Sequence, residues 1–368
     1  MNTRRIAGLA IAIGASLIVV ACGSSNNTTT GSGGGSSSGG GGGTINGAGS
    51  TFAAPIYQQW GSTLKGQGLT VNYNPVGSGA GISQLQSATV DFAGSDPALK
   101  AEDKSKAKGD LFQFPVAFGA ITVSYNLPGV KSGIKLDGAT LADIYLGKVK
   151  TWNDPAITAL NPGMTLPSTS ITVVHRSDSS GTTAGFTTFL EDYSPTWKSQ
   201  VGSDKDVKWP TGTGAAKNSG VAAAVKQTPG AIGYVEQAYA LENGFTYAAV
   251  KNQSGSFVLP TIENTSAAAN GITIPPDLGI STINSPNASA YPIASQTFLV
   301  SYADPCKAGI SQGTASAVKK FLTYALGDGQ KTLGAGSDQL PYAPLPANLV
   351  SKDQAQLAKM TCNGSALS

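Results

Sequence analysis

The chain has 368 residues, of which 40% are apolar, and this is enough for one large or two medium-sized domains with buried cores. Only 12% of the residues are charged, and the formal net charge is +3. So small an excess of positive charge argues against a nucleic-acid-binding or polybasic membrane surface.

The N-terminal residues predict export. Arg4 and Arg5 precede the apolar run 6–20, which is the layout of a secretory signal peptide covering residues 1–21. The letters VVAC resemble the bacterial lipobox, whose cysteine is lipidated, so Cys22 is the expected lipidation site. An ordinary signal peptide followed by a stray cysteine is the alternative. The expected location is the outer face of the cytoplasmic membrane, where the chain is held by its lipid anchor.

A flexible linker is expected after the anchor. Residues 23–43 contain only Gly, Ser, Asn and Thr, so they cannot bury apolar surface and reach roughly 25 Å as a coil. With the lipidated cysteine, this gives a tether of residues 22–43. Loss of residues 1–21 removes two of the 24 basic residues and none of the 21 acids, which leaves a net charge of about +1.

From residue 44 onward, short apolar strands alternate with helical segments and Gly-rich junctions, which predicts an α/β architecture in two lobes. The predicted strands are LTVNYNPV (69–76), VDFAGS (90–95) and SITVVHRS (170–177). The predicted helices are GISQLQSA (81–88), LADIYLGKVKTW (141–152) and AAAVKQ (222–227).

Two cysteines lie late in the chain, at Cys306 and Cys362. In an oxidising exported setting, two such cysteines most simply pair with each other. A zinc site normally has four ligands, and the chain has one histidine. We therefore expect a disulfide and no metal.

Three strand-to-helix junctions carry small hydroxyl residues. They are Ser50 and Thr51 in GAGSTFAAPIYQQW, Ser78 in VGSGAGISQLQ, and Ser180 and Thr182 in SDSSGTTAGFTTFL. Backbone N–H groups are unpaired at such helix starts, and the helix dipole favours an anion there. Each junction alone is also explained as a plain helix cap. The three together, with Arg176 beside the last, favour an oxyanion-binding site.

An enzyme is the weaker interpretation. Serine chemistry needs a base, and the single histidine, His175, points to the opposite face of a regular strand from Arg176. Outside the linker there is no G-x-S-x-G elbow, and the chain has no Walker-type phosphate loop or paired-cysteine metal spacing. His175 is expected to be a structural or surface residue of its strand.

Longer motifs carry a resemblance to a known family. They are GAGSTFAAPIYQQW, VGSGAGI, DFAGSDPAL, FQFPVAFGA, LGKVKTWNDPAI, LNPGMTLP, VVHRSDSSGTTAGF and TPGAIGYVE. In this order, from about residue 46 to near Phe298 and more loosely beyond, they resemble the phosphate-binding lipoprotein of the bacterial ABC phosphate importer. The resemblance implies a type II periplasmic-binding-protein fold with a ligand cleft between two lobes. Lobe I is expected at 44–118 plus 293–368, and lobe II at 119–292.

The resemblance also implies a ligand set. The phosphate-binding residues carried over are Thr51, Phe52, Ser78, Asp96, Arg176, Ser180, Gly181 and Thr182. Asp178 matches an acid that braces the arginine. The departures are Ser179, where glycine is common, and Gly79, where a second serine often occurs, and neither removes a donor.

The implied function is high-affinity binding of hydrogen phosphate outside the cytoplasm and delivery to the membrane permease and ATPase of an importer. No catalysis, cofactor or nucleic acid is expected. Asp96 as an ion can only accept hydrogen bonds, so it favours a ligand that still carries a proton, although a plain helix cap is the alternative role. The alternative functions are a binder of another oxyanion, of the sulfate or molybdate type, and, with less support, a secreted phosphatase.

Overall fold

The computed structural model describes residues 43–367. The predicted signal peptide, the lipidation site Cys22 and all but the last residue of the linker lie outside this range. The first strand begins at Gly43, the last residue of the predicted linker. Among the helices of the described residues, none has the length and apolar content to cross a bilayer.

Strands and helices alternate through the described residues. The strands are β1 (Gly43–Gly49), β2 (Leu69–Asn74), β3 (Phe92–Ser95), β4 (Leu111–Tyr125), β5 (Lys135–Leu136), β6 (Thr172–Arg176), β7 (Thr213–Ala215), β8 (Ala231–Glu236), β9 (Thr246–Tyr247), β10 (Ala249–Lys251), β11 (Phe257–Val258), β12 (Ala294–Tyr302), β13 (Thr361–Cys362) and β14 (Ser365–Ala366). The α-helices are α1 (Ala54–Lys65), α2 (Ser78–Gln86), α3 (Ala101–Ser105), α4 (Gly138–Tyr145), α5 (Pro155–Thr158), α6 (Gly181–Tyr193), α7 (Pro195–Gln200), α8 (Lys217–Gln227), α9 (Gln237–Glu242), α10 (Ile262–Ala267), α11 (Gln312–Ala325) and α12 (Ala347–Leu357). A 3₁₀ helix covers Asp328–Thr332.

The main sheet joins two halves. Its strand order is β2-β1-β3-β12-β4-β8-β6-β7, and β9 also pairs with β4. Parallel pairing holds within β2-β1-β3 and within β8-β6-β7, whereas β12 and β4 are antiparallel to each other and to their outer neighbours. The predicted two-lobed α/β fold is confirmed.

The long strand β4 belongs to both halves. Its residues 111–120 pair with β12, and its residues 121–125 pair with β8. The change of partner therefore falls between Ala120 and Ile121, close to the expected boundary after residue 118. The lobe boundaries themselves stay a prediction.

Aromatic clusters pack against each half of the sheet. In the first, the rings of Phe92 and Phe321 lie 5.1 Å apart. In the second, Phe186 stacks on Tyr234 at 4.4 Å. The Tyr234 hydroxyl then accepts a hydrogen bond from the backbone N–H of Arg176 at 3.0 Å. The packed core thus fixes the end of β6, where the candidate site begins.

Most of the predicted elements are confirmed, and one is partly wrong. The segments at 69–76, 90–95 and 170–177 contain β2, β3 and β6, and the segments at 81–88 and 222–227 contribute to α2 and α8. The helix expected over 141–152 instead ends at Tyr145. Gly147 then adopts a left-handed φ of +74°, and Thr151 forms a bridge with Ser170. The helical periodicity of apolar residues in the sequence continues past Gly147, but the helix itself ends before it.

The late cysteines are joined. Cys306 and Cys362 form a disulfide with a Cα–Cα distance of 4.9 Å. It links the turn after β12 to the C-terminal hairpin of β13 and β14. Asp304 supports the same junction, because its carboxylate accepts hydrogen bonds from Thr361 Oγ1 and from the backbone N–H of Gly364.

Candidate anion-binding site

The three hydroxyl-bearing junctions meet in space. The turn before α1, the start of α2 and the start of α6 follow β1, β2 and β6 respectively. A Cβ atom at Gly181, the first residue of α6, would lie 2.3 Å from Asp96 Oδ2 and 2.6 Å from Ser78 Oγ. Only glycine fits there, because the start of α6 approaches the opposite half of the sheet this closely.

Arg176 is buried and held in a fixed orientation. Its Nε donates to Asp178 Oδ1 at 2.7 Å, and its Nη2 donates to Asp178 Oδ2 at 2.5 Å. Burial opposes ionisation of Asp178, but the guanidinium outweighs it, so the pKa of this carboxyl is lowered. On the side of the guanidinium away from Asp178, Nη1 contacts Thr182 Oγ1 at 3.4 Å. Asp178 thus fixes the orientation of the guanidinium.

Asp96 is buried among hydroxyl groups. Its Oδ1 accepts from Ser50 Oγ at 2.6 Å and from Thr297 Oγ1 at 2.9 Å, whereas its Oδ2 accepts, among the described residues, only from Ser78 Oγ at 3.4 Å. Burial raises the pKa of Asp96 to about 6, although these hydrogen bonds oppose the rise. The helix-cap alternative for Asp96 is wrong, because the N-cap of α3 is Lys100. Oδ2 is left as an acceptor facing α6.

The start of α6 combines a cap with anion-binding potential. Ser180 is the N-cap, and its Oγ accepts from Thr183 N at 3.1 Å. A serine oxygen that accepts this bond still has its own proton to donate. As the first residues of the helix, Gly181 and Thr182 have backbone N–H groups that find no acceptor within it. The cap and the anion-binding role are therefore compatible.

Sequence reasoning missed several residues that hold the first junction. Tyr239 Oη donates to the carbonyl of Thr51 at 2.8 Å, and Tyr342 Oη lies 2.7 Å from the carbonyl of Phe52. Asn218 Nδ2 donates to Thr51 Oγ1 at 2.9 Å. These partners are more than 160 residues away along the chain, so no local pattern could have indicated them.

His175 lies away from this constellation. Its ring stacks on Trp209 with centroids 4.7 Å apart, and its Nδ1 is 3.0 Å from the carbonyl oxygen of Arg176. Burial lowers the pKa of the imidazole. The structure thus makes His175 a packed strand residue, as expected. Across residues 43–367, no group of three or more His, Cys, Asp or Glu side chains is arranged to hold a metal ion.

Ion pairs connect the two halves beside the site. Lys100 Nζ lies 2.7 Å from Asp204 Oδ2, and Lys205 Nζ lies 3.4 Å from Asp103 Oδ1. The pairs are reciprocal, since each segment supplies one cation and one anion. The carbonyl of Lys205 also accepts from the backbone N–H of Ser180. These rim pairs therefore tie α3 to the segment that supports the start of α6.

Comparisons with known proteins give the family. Residues 34–328 match the model of the PBP superfamily domain. The phosphate-binding protein PstS of Pasteurella multocida is 42% identical over 317 residues, which cover 85% of this chain and 89% of that protein. The protein of the same name from Haemophilus influenzae is 42% identical over 319 residues, covering 85% and 92%.

A solved structure agrees in fold. The phosphate-bound form of PfluDING, a high-affinity periplasmic phosphate-binding protein, superposes with a TM-score of 0.67 at 24% identity, covering 88% of this chain and 96% of that one. Together with the curated relatives, the matches span nearly all of the described residues. The chain therefore belongs to the PBP superfamily and, within it, to the family of the phosphate-binding proteins PstS.

Proposed function

We propose that the protein binds inorganic phosphate, as hydrogen phosphate, between its two lobes and delivers it to the permease and ATPase of an ABC phosphate importer. The observation that carries the proposal is the placement of a braced arginine fork and a single acceptor carboxylate at the convergence of three helix starts. The names of the PstS relatives and the phosphate bound to PfluDING support the same ligand.

The proposed ligand contacts are the eight residues carried over from the sequence. They are Thr51, Phe52, Ser78, Asp96, Arg176, Ser180, Gly181 and Thr182. A phosphate dianion loses its hydration in a cleft, and this is tolerable only when nearly every oxygen lone pair finds a donor. Backbone N–H groups, hydroxyls and the guanidinium supply such donors, and Asp178 holds the guanidinium in place.

Asp96 provides the selectivity. An ionised carboxylate accepts a hydrogen bond from a ligand P–OH group, whereas sulfate at neutral pH has no proton to offer. Two negative oxygens would then face each other in a buried site. Because sulfate cannot supply this buried hydrogen bond, its affinity should be lower than that of hydrogen phosphate by a factor on the order of 10⁴.

Ligand binding is proposed to stabilise the closed arrangement of the lobes. On the expected boundaries, Thr51 and Asp96 belong to lobe I, and Arg176 belongs to lobe II. An anion that contacts both halves favours the state in which they meet, and the rim pairs add to that state. The closed form is what the importer is proposed to recognise.

Export and anchoring rest on the N-terminal sequence. The signal peptide, the lipidation of Cys22 and the linker together place the domain outside the cytoplasmic membrane on a tether. Intact mass of the protein from its native membrane tests this. A mass without acyl chains on Cys22 would contradict the anchor.

Titration calorimetry and thermal shift test the ligand. The purified protein is titrated with phosphate, sulfate, molybdate and a phosphonate at one pH and ionic strength, and we expect phosphate to bind most tightly by a wide margin. If sulfate or molybdate bound more tightly than phosphate, the protein would be a binder of that oxyanion instead. A chromogenic phosphate ester tests the phosphatase alternative, and we expect no turnover, since the relatives are binding proteins and His175 packs against Trp209.

A further inference from the structure

Asn218 connects two of the proposed ligand-binding hydroxyls. It lies at the start of α8 and is fully buried. Its Nδ2 is 2.9 Å from Thr51 Oγ1 and 3.3 Å from Thr182 Oγ1. Its Oδ1 is 3.0 Å from the backbone nitrogen of Glu236. A single side-chain amide thus contacts both threonines.

The orientation of this amide is determined by the backbone. The N–H of Glu236 can only donate, so the side-chain atom facing it must be the oxygen of Asn218. The amino group then faces the two threonines, where it can only donate. The hydroxyl oxygens of Thr51 and Thr182 must therefore accept.

Each threonine hydroxyl has its acceptor positions filled. Thr51 Oγ1 also receives the backbone N–H of Asn218 at 3.3 Å, and Thr182 Oγ1 also receives Arg176 Nη1 at 3.4 Å. A hydroxyl has two lone pairs and one proton. With both lone pairs used by N–H donors, the proton of each hydroxyl must be donated to a further acceptor.

We infer that Asn218 is a positioning residue that makes Thr51 and Thr182 obligatory hydrogen-bond donors to the bound anion. The inference rests on the proposed phosphate-binding function. Donors that are already oriented need no rearrangement when the ligand arrives, so affinity is gained by preorganisation. Without Asn218 each hydroxyl is free to turn its proton toward another protein atom.

The backbone before Asn218 supports a functional constraint. Lys217 is a non-glycine residue with a left-handed φ of +66°. Its backbone N–H donates to Asp178 Oδ1 at 2.9 Å, the same oxygen that accepts from Arg176 Nε. Backbone conformations of this kind are unfavourable for side chains larger than glycine and cluster at ligand sites. The same turn thus braces the arginine pair and presents Asn218.

Calorimetric phosphate titrations of a variant series test the inference. Asn218→Leu removes the amide, and Thr51→Val and Thr182→Val each remove one hydroxyl with little change of shape. The matched control is Asn252→Leu, since Asn252 is also buried and its Nδ2 also bonds two acceptors, the carbonyls of Ala288 and Ala290. Melting curves measure the stability of every variant separately.

We expect Asn218→Leu to weaken phosphate binding by about tenfold or more, the worth of one hydrogen bond to a charged ligand. Asn252→Leu should leave the dissociation constant within about twofold. When Asn218→Leu is introduced into Thr51→Val, it should reduce phosphate affinity by a smaller factor than in the wild type. In the variant that lacks both threonine hydroxyls, this factor should be about twofold or less. If Asn218→Leu does not fold, Asn218→Ala replaces it in the same series.

Three results would overturn the inference, and the first is distinguishable from the other two. A wild-type protein that does not bind phosphate removes the proposed function and this inference with it. A wild-type protein that binds phosphate, with an Asn218 loss that stays undiminished when both hydroxyls are absent, removes only the positioning role. An unchanged dissociation constant in Asn218→Leu has the same meaning.

Discussion

The hydroxyl oxygen of Tyr342 lies 2.8 Å from Glu236 Oε2, and both side chains are fully buried. The same hydroxyl lies 2.7 Å from the carbonyl oxygen of Phe52. A tyrosine has one proton to donate, and a carbonyl and a carboxylate both only accept. Both contacts can be hydrogen bonds only if Glu236 carries a proton and donates it to Tyr342, which in turn donates to Phe52.

We therefore predict that Glu236 is protonated at neutral pH. Burial raises its pKa from 4.5 to about 8, and Asp96 nearby adds to the rise, although a hydrogen bond from the backbone N–H of Ala238 opposes it. Infrared spectra of the wild type minus Glu236→Gln at pH 7 should show the carbonyl band of a protonated carboxyl. Absence of that band would mean that Glu236 is ionised.

The same proton gives a pH dependence of stability. Between pH 4.5 and about 8 the folded protein holds the Glu236 proton and the unfolded chain does not, so the free energy of unfolding falls as pH rises across this window. The melting temperature of Glu236→Gln should fall less steeply with rising pH than that of the wild type. Parallel curves would contradict the assignment.

Asp96→Asn should narrow the preference for phosphate over sulfate. Oδ1 of Asp96 is occupied by two hydroxyl donors and Oδ2 is available to a ligand proton, whereas an asparagine amide can donate to a bare oxygen and removes a negative charge. The affinity for sulfate should increase by a larger factor than the factor by which the affinity for phosphate changes. Competition titrations at one pH and ionic strength measure the ratio, and an unaltered ratio would remove Asp96 from this role.

Arg176→Lys should lower phosphate affinity by about tenfold or more. Lysine keeps the charge but loses the two-pronged contact with Asp178, so neither the brace nor the bidentate ligand contact is retained. Calorimetry of this variant beside Lys135→Arg, at an exposed position, provides the comparison. An unchanged dissociation constant would place Arg176 outside the ligand contacts.

Asp353→Asn should stabilise the protein at neutral and alkaline pH. Both carboxylate oxygens of Asp353 are buried without a hydrogen-bond partner among the described residues, and burial raises its pKa to about 9. The folded state must therefore hold a proton that the unfolded chain releases near pH 4, which costs a few kcal/mol at pH 7 by linkage. The melting temperature of Asp353→Asn should rise above that of the wild type as pH increases from about 4. The control Asp338→Asn, at an exposed site, should melt at the same temperature as the wild type throughout.

Reduction of the Cys306–Cys362 disulfide should destabilise the domain. The bonded residues are 56 apart in sequence, and closing a loop of that length contributes on the order of 4 kcal/mol in the chain-entropy model. Melting with and without reductant measures the loss, and intact mass shows the two hydrogens gained. Two thiols that alkylate freely in unreduced, folded protein would contradict the bond.

The sequence was informative where local patterns decide the structure. Alternating apolar residues located β2, β3 and β6, and the small-residue junctions located the starts of α2 and α6. The predicted helix over 141–152 failed at Gly147, because a left-handed residue ends a helix whose apolar pattern continues. Local propensity and pattern could not indicate where a helix with continuing periodicity stops.

The candidate site was predictable only in part, since the resemblance supplied the proposed ligand set and the brace Asp178 but not the residues that hold the Thr51–Phe52 turn. Asn218, Tyr239 and Tyr342 act through hydrogen bonds to the Thr51–Phe52 turn, and these partners are brought together only by the tertiary fold. Nothing in the letters around them distinguishes them from ordinary helix or loop residues. Their roles follow from counting donors and acceptors in three dimensions.

The strand β4 has a consequence for how the protein unfolds. Residues 111–120 and 121–125 are one continuous backbone, yet they complete the hydrogen-bond ladders of the two halves of the main sheet. Because the two segments are joined directly at Ala120 and Ile121, we expect disruption of one half of the sheet to loosen the end of the other half. We therefore expect the two halves to unfold together, so that a destabilising substitution in the core of either half lowers the stability of both.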